Sequence, residues 1–379
     1  MPMTRRSRRP NRHKKAIVAS LNVMSRLKKP AVASSLVQAP KSCNPTLWFL
    51  SSAASHHHKI TMSTKAPEDP TFRSFDRKQG EKYAQARRDY HPLLYSIVLD
   101  YHTSTGGKFD TVLDVGCGPG RATRSLAAHF SQAIGIDPSD GMIATARSLS
   151  DSSSASEPVR FEVSTAEELG SRLSPPISEG SIDLITAATA AHWFDMSAFW
   201  PQAARMLKPG GSVALWTSGG VLVDPSMPNY QAIQAAIDKL DNSVEDYRVP
   251  GNLLTRHLYA ALPLPWTLEK PVPEFDQATF MRKEWNTGGL SDGGEVVNFT
   301  FYDNDKPVDL NTLEKVLATS SPVIRWREAH PDAVDTERDL VRIMRTEIES
   351  ALREAGADPD TTMMKGSVSG ALLMVKTKV

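Results

Sequence analysis

Asp114-Val115-Gly116-Cys117-Gly118-Pro119-Gly120 is the stretch whose reading decides the fold. It follows Thr111 to Val115, an apolar run suited to a buried strand, and precedes a helical pattern from Arg121 to Phe130. Glycines between a strand and a helix let the backbone pass close to a ligand, while the helix start offers unpaired N–H groups. Enzymes that bind dinucleotides use G-x-G-x-x-G at such a turn. Here the spacing is D-x-G-x-G-x-G, with an acidic residue at the strand end. That carboxylate would repel a pyrophosphate and welcome an ammonium group, so the loop predicts a cofactor with a cationic amino-acid end, and Asp114, Gly116, Cys117 and Gly118 are its candidate contacts.

Working outward, the chain alternates strand-like and helix-like segments. Upstream, Leu93, Leu94, Ile97 and Val98 recur at helical spacing. Downstream, strands are predicted at 133–136, 159–163, 181–187 and 212–217, with helices at 139–148 and 197–207 between them. Such alternation predicts an α/β fold, a Rossmann-like, doubly wound, mostly parallel seven-stranded sheet with helices on both faces. Residues 219 to about 330 break the rhythm with Pro225, Pro228, Pro250-Gly251, Pro263 and Pro265, and read as a helical lid insertion facing the substrate. A helix at 336–354 and a last apolar strand at 367–376 close the chain. The expected domains are therefore a basic leader (1–61), a cofactor-binding core (62–218), and a lid with terminal helices and the last strand (219–379).

The strand ends supply the remaining candidates. Asp137 ends the second strand, where a carboxylate can accept both hydroxyls of a ribose. Its competing role is to cap the helix after Pro138, although Ser139 or Asp140 could do that instead. After the third strand, Ala166 and Glu167 stand where an adenine would lie, and Glu167 reads equally as a solvated helix-start residue. The fourth strand, ending at Ala187, runs into Ala190-Ala191-His192-Trp193-Phe194-Asp195. Ala187 is counted with the cofactor contacts and Trp193 with the substrate contacts. His192 could orient substrate, touch the cofactor or remove a proton as a general base; a satisfied core histidine is the plain alternative. Asp195 reads as the cap of the next helix. Together these residues predict S-adenosyl-L-methionine as the cofactor.

Composition narrows the partners. The formal net charge of +1 conceals an uneven distribution, because residues 1–61 hold twelve Lys and Arg and no acid, which leaves the remainder at net −11. A core of that sign is not expected to bind nucleic acid, so a small-molecule substrate is favoured. No apolar run is long enough to span a bilayer, so no membrane association is expected. The leader, Arg- and Ser-rich, reads as a mitochondrial targeting segment, as an unused upstream start before Met62-Ser63-Thr64, or as a basic tail. A cytoplasmic location is expected unless the targeting reading holds, and a monomer is favoured. Cys43 and Cys117 are the two cysteines and fall in different regions, which speaks against a disulfide. His56-His57-His58 lies in the leader, and no other spacing suits a metal, so no metal is expected.

The segments 112–120, 133–139, 182–195 and 207–216 resemble class I methyltransferases, and the run I-D-L-I-T-A-A-T-A-A-H-W-F-D resembles more narrowly the trans-aconitate methyltransferase family. Tyr83-Ala84-Gln85-Ala86-Arg87-Arg88-Asp89-Tyr90 is similar to that family's Y-x-x-x-R-P-x-Y segment, which folds over the cofactor. The resemblance implies Tyr83 and Arg87 as cofactor contacts and methyl transfer to a small molecule, often to a carboxylate to give a methyl ester. Arg88 stands where the family has proline, and Asn252 stands where a P-G-R segment has arginine, which weakens the case for a tricarboxylic acid substrate. A carboxylate nucleophile needs no base. For a hydroxyl or amine acceptor, His192 is the first candidate base and Tyr90 the second. Trp216, Tyr247 and Trp326 could line the acceptor pocket or be core. Two further readings stand beside this one: an oxidoreductase on a related nucleotide fold, and a cofactor-binding protein without turnover.

Overall fold

A computed structural model describes residues 71–149, 159–286 and 307–379. The basic leader, Cys43, the histidine run, the start at Met62 and the Ser-rich connection at 150–156 lie outside these residues. At the centre is a seven-stranded sheet of order β3-β2-β1-β4-β5-β7-β6. The first five strands, β1 (Thr111–Val115), β2 (Gln132–Asp137), β3 (Arg160–Val163), β4 (Ile182–Ala188) and β5 (Leu207–Val223), pair in parallel. β6 (Phe275–Trp285) and β7 (Gly366–Thr377) are antiparallel to their neighbours and complete one edge. The central strands read as continuous apolar runs because helices cover both faces, and two hydrophobic clusters occupy the two sides.

The helices of the core are α1 (Arg77–Ala86), α2 (Pro92–Ser104), α3 (Arg121–Ala127), α4 (Asp140–Ser148) and α5 (Met196–Met206). Asp76 and Gln79 form a capping box on α1, Ser139 accepts from Met142 N to cap α4, and Asp195 accepts from Ser197 N to cap α5. The cap expected of Asp195 is thus present, and Ser139 rather than Asp137 caps the helix after Pro138. The lid helices are α6 (Tyr230–Ser243), α7 (Pro250–Arg256), α8 (Leu310–Leu317), α9 (Ser321–Ala329) and α10 (Leu340–Glu354), and most of them share a third cluster built on Ile233, Trp326, Met344 and Ile348.

Two boundaries differ from the sequence reading. β5 runs past 218 to Val223, so its far end belongs to the region read as lid. β6 lies inside that same region and is a sheet strand. Its half-exposed edge position carries no continuous apolar run, and the prolines before it mask it. Among the described residues, no helix is long and apolar enough to cross a membrane.

Candidate active site

A cavity of about 740 Å³ opens at the carboxyl ends of the parallel strands, between the core and the lid helices. Ligands gather there in open α/β sheets because the strand order reverses at that edge. The glycine loop forms its floor. Gly116, Gly118 and Gly120 all have positive φ (65°, 53° and 79°), a conformation side chains resist. Gly116, Cys117 and Gly118 line the cavity.

Asp114 does not. Its carboxylate is fully buried beneath the loop, where it accepts from Thr123 Oγ1 at 2.6 Å and from Thr186 Oγ1 at 2.8 Å. Strand register explains the correction: Asp114 lies opposite Thr186 of β4, and the start of α3 brings Thr123 over it. The acid therefore ties strand, loop and helix together and forms no part of the cavity wall. Burial raises its carboxyl to about 6, against the hydrogen bonds from the two threonines. Because the folded value lies above the ordinary one, this group's stabilising contribution is full below about pH 4 and is lost as pH rises through 6. The shift corresponds to about 3 kcal/mol across that window. Asp114→Asn is expected to flatten the wild-type decline in stability between pH 4 and 6; parallel denaturation curves for the two proteins would refute the assignment.

Asp137 sits at the wall with both oxygens engaged by backbone: Oδ2 accepts from Gly118 N and Oδ1 from Ser139 N, each at 2.9 Å. A carboxylate has about four lone-pair sites, so it can accept from several donors at once. Ala166 and Glu167 also line the cavity, and Glu167 Oε1 accepts from Asp195 N at 3.0 Å, joining the third and fourth strand ends. Ala187 is a correction: it is buried in the core, whereas Ala188, on the other face of the strand, reaches the wall, as do Thr189 and Ala190 in the turn beyond β4. Thr189 has φ 55°, an outlying value for a β-branched residue. The sequence reading passed over it.

His192 and Trp193 line the cavity, with ring centroids 4.5 Å apart. The imidazole is 5 % exposed, its Nδ1 lies 3.0 Å from Tyr259 Oη, and burial holds its pKa at about 3. It is a neutral hydrogen-bonding group and a poor proton acceptor at neutral pH.

The N-terminal segment forms one wall through Tyr83, Arg87, Arg88 and Tyr90. Asp89 anchors it by accepting from Tyr95 Oη and Ser125 Oγ, each at 2.7 Å. The Tyr90 hydroxyl lies 3.2 Å from both Ala188 O and Thr189 Oγ1. The Arg87 guanidinium lies 5.2 Å from the centre of the Tyr83 ring and donates to Thr319 O in the lid. Trp216 and Tyr247, expected against the substrate, are away from the cavity. Trp216 is fully buried behind Tyr90, which it meets edge-on at 5.5 Å. Tyr247 packs against His330 at 5.9 Å, and its neighbour Arg248 reaches the wall instead. Trp326 is core.

Two features mark the cavity as a place for a polar ligand. The buried Arg121 Nε at the wall has no hydrogen-bond partner among the described residues, while a terminal nitrogen of the same guanidinium donates to Ala84 O. A Cβ on Gly118 would meet nothing within 4 Å, so the loop is a cradle with its open side toward the cavity. A guanidinium donor, a carboxylate at the second strand end and a glycine cradle fit a ligand with an amino-acid carboxylate and a nucleoside. Among the described residues, no group of three or more His, Cys, Asp or Glu could hold a metal ion.

Residues 113–215, which include this loop and both strand-end carboxylates, match the family described as "Methyltransferase domain". This part of the chain is similar to a methyltransferase domain. A protein of Dictyostelium discoideum that carries the name of a methyltransferase is 37% identical over 153 residues, 40% of this chain and 52% of its own. CRG1 of Saccharomyces cerevisiae, named for S-adenosylmethionine-dependent methyltransferase activity, is 29% identical over 134 residues, 35% of this chain and 43% of its own. Methyltransferase cfoB of Aspergillus candidus is 26% identical over 292 residues, 71% of this chain and 86% of its own. The chain thus spans about half the length of the first of these relatives and less of the second. The matched residues, 113–215, account for the floor of the cavity, and the lid helices beyond residue 215 contribute the opposite wall.

Proposed function

We propose that the chain catalyses methyl transfer from S-adenosyl-L-methionine to a small carboxylic acid, giving a methyl ester. The observation that carries the carboxylate reading is His192: it faces the cavity but is held neutral at about 3, so the site suits a nucleophile that arrives already deprotonated. S-Adenosyl-L-methionine is the cofactor, and when bound it supplies an electrophilic methyl group on a sulfonium. Asp137 holds the ribose hydroxyls, Gly116 to Gly118 let the backbone approach, and Arg121, with Arg87, receives the amino-acid carboxylate. Ala166 and Glu167 border the adenine. Trp193 and the lid wall exclude water and align the acceptor, which is the main contribution a protein makes to an in-line displacement.

A tricarboxylic acid of the trans-aconitate kind is the less favoured acceptor. Asn252 replaces the family's arginine, and the nearby Arg325 guanidinium is engaged by Tyr247 O, Thr71 Oγ1 and Asn252 Oδ1. On the lid side, Arg248 pairs with Asp241 and Glu245. An acceptor with one carboxylate asks less of this wall than one with three.

The test is chemical. The purified chain, given S-adenosyl-L-methionine labelled in its methyl group and a panel of carboxylic acids, is expected to form a product that releases labelled methanol in mild alkali. Alkali-stable label would mark an ether or amine product and overturn the ester reading; no transfer to any acid in the panel would count against it as well.

A further inference from the structure

The group behind His192 is a phenol that belongs to the lid. Tyr259, 1 % exposed, follows α7 and brings its hydroxyl to 3.0 Å from His192 Nδ1, with the two ring centroids 6.0 Å apart. The chain reaches this position through two successive residues in the left-handed region, Leu258 at φ 50° and Tyr259 at φ 60°. Bulky residues adopt that conformation only where the surroundings hold it, and such outliers gather at functional sites. Here Arg282 of β6 donates to Leu258 O at 2.7 Å, and Tyr259 N donates back to Leu254 O at 2.8 Å. Gly219, on the cavity wall, leaves room for Leu258: a Cβ there would fall 2.8 Å from its side chain. The strained turn is thus anchored from the edge of the sheet and delivers one hydroxyl to one ring nitrogen.

We propose that Tyr259 is a positioning residue, its hydroxyl donating to His192 Nδ1 and so fixing the imidazole as the Nε2–H tautomer that donates a hydrogen bond to the acceptor's anionic oxygen. This rests on the methyl-transfer reading above. With Nδ1 taken, Nε2 is the nitrogen left for the cavity that His192 lines. The phenol keeps its proton because burial raises its pKa, so it has an O–H to give, and His192 Nδ1 is the partner 3.0 Å away. Thr217, whose hydroxyl interacts with the phenol oxygen, is the neighbour toward which that O–H would turn instead. A hydroxyl turned to Thr217 would leave Nδ1 protonated and Nε2 bare, the form in which His192 could act only as an acceptor. An Nε2–H directed at a carboxylate oxygen holds the nucleophile in line while leaving its other oxygen free to attack.

The experiment is long-range proton–nitrogen NMR on the full chain with ring-labelled histidine, the His192 signals being assigned by their loss in His192→Gln. The expected wild-type pattern is Nε2–H, turning into a mixture of tautomers in Tyr259→Phe and staying unchanged in Thr217→Val. In the labelled-methyl assay, Tyr259→Phe is expected to lower kcat tenfold or more while the cofactor Kd stays within twofold. In the His192→Gln background, where the amide supplies a fixed donor, the same change should add little. An Nδ1–H pattern in the wild type overturns the proposal, as does an equal loss from Tyr259→Phe in both backgrounds. If calorimetry finds no S-adenosyl-L-methionine binding to the wild type, the methyl-transfer reading fails, and the tautomer spectrum still decides the role of Tyr259.

Discussion

Replacing Asp137 by alanine is expected to weaken S-adenosyl-L-methionine binding by at least about 100-fold. The carboxylate stands at the cavity wall only 9 % exposed, so its interactions are poorly screened by water. Hydrogen bonds to a charged group contribute about 1.5–3 kcal/mol each. Losing two to the ribose therefore costs about 3 kcal/mol or more, which is two decades in affinity. A second loss adds to this, because Oδ2 also holds Gly118 N and Oδ1 holds Ser139 N, each at 2.9 Å, and the alanine variant frees both amides at the cradle. Asp137→Asn separates the contributions. It keeps the shape but turns an NH₂ toward one of the two backbone donors, so its affinity should fall between wild type and Asp137→Ala. Titration calorimetry measures all three, and a Kd for Asp137→Ala within threefold of wild type would remove Asp137 from the ribose.

The second large effect separates two glycines that look alike in the sequence. A Cβ on Gly116 would lie 2.5 Å from the Ala190 Cβ at φ 65°, whereas one on Gly118 would meet nothing within 4 Å at φ 53°. Left-handed backbone costs a non-glycine residue roughly 1–2 kcal/mol, and overpacking a tight core adds about 1–3 kcal/mol. Gly116→Ala is therefore expected to destabilise the fold by about 2–5 kcal/mol, since Ala190 cannot retreat from the strand end that carries His192. Gly118→Ala should bear only the backbone cost, and its methyl group would project into the cradle. Its expected signature is a near-normal melting temperature with a marked loss of cofactor affinity, the reverse of Gly116→Ala. Urea denaturation alongside calorimetry checks the contrast, and two variants with the same profile would contradict the geometry.

How far the residues alone carried this reading depends on the range of the interaction concerned. β1, the glycine loop and the start of α3 were legible because strand burial, positive-φ turns and helix starts are written in a dozen neighbouring residues. Asp137, and Asp195 as a helix cap, were legible for the same reason: a residue at a strand end or a helix start has its place set by the local backbone. The candidate residues along these segments, from Tyr83 and Arg87 to His192 and Trp193, do converge on one cavity.

What went unread depends on the direction of a side chain relative to partners far away in the chain. Asp114 has the right sequence position to meet a ligand, but Thr123 and Thr186 claim its oxygens from a helix and a neighbouring strand. Ala187 precedes the wall by one residue and so faces the other way. Trp216 and Tyr247 are large aromatics for which burial in the core is as natural as exposure in a pocket, and packing against Tyr90 and His330 settled both. Tyr259 carried no signal, because its role exists only once the chain has turned left-handed after α7 and set a phenol behind an imidazole 67 residues away. The sequence by itself determined the order of the strands' apolar runs, the cradle and the edge of the sheet where a ligand must lie, all of which follow from local backbone preference and burial. Only the tertiary structure decided which side chains face that ligand and in what protonation state, because those depend on desolvation and on partners brought together by the fold.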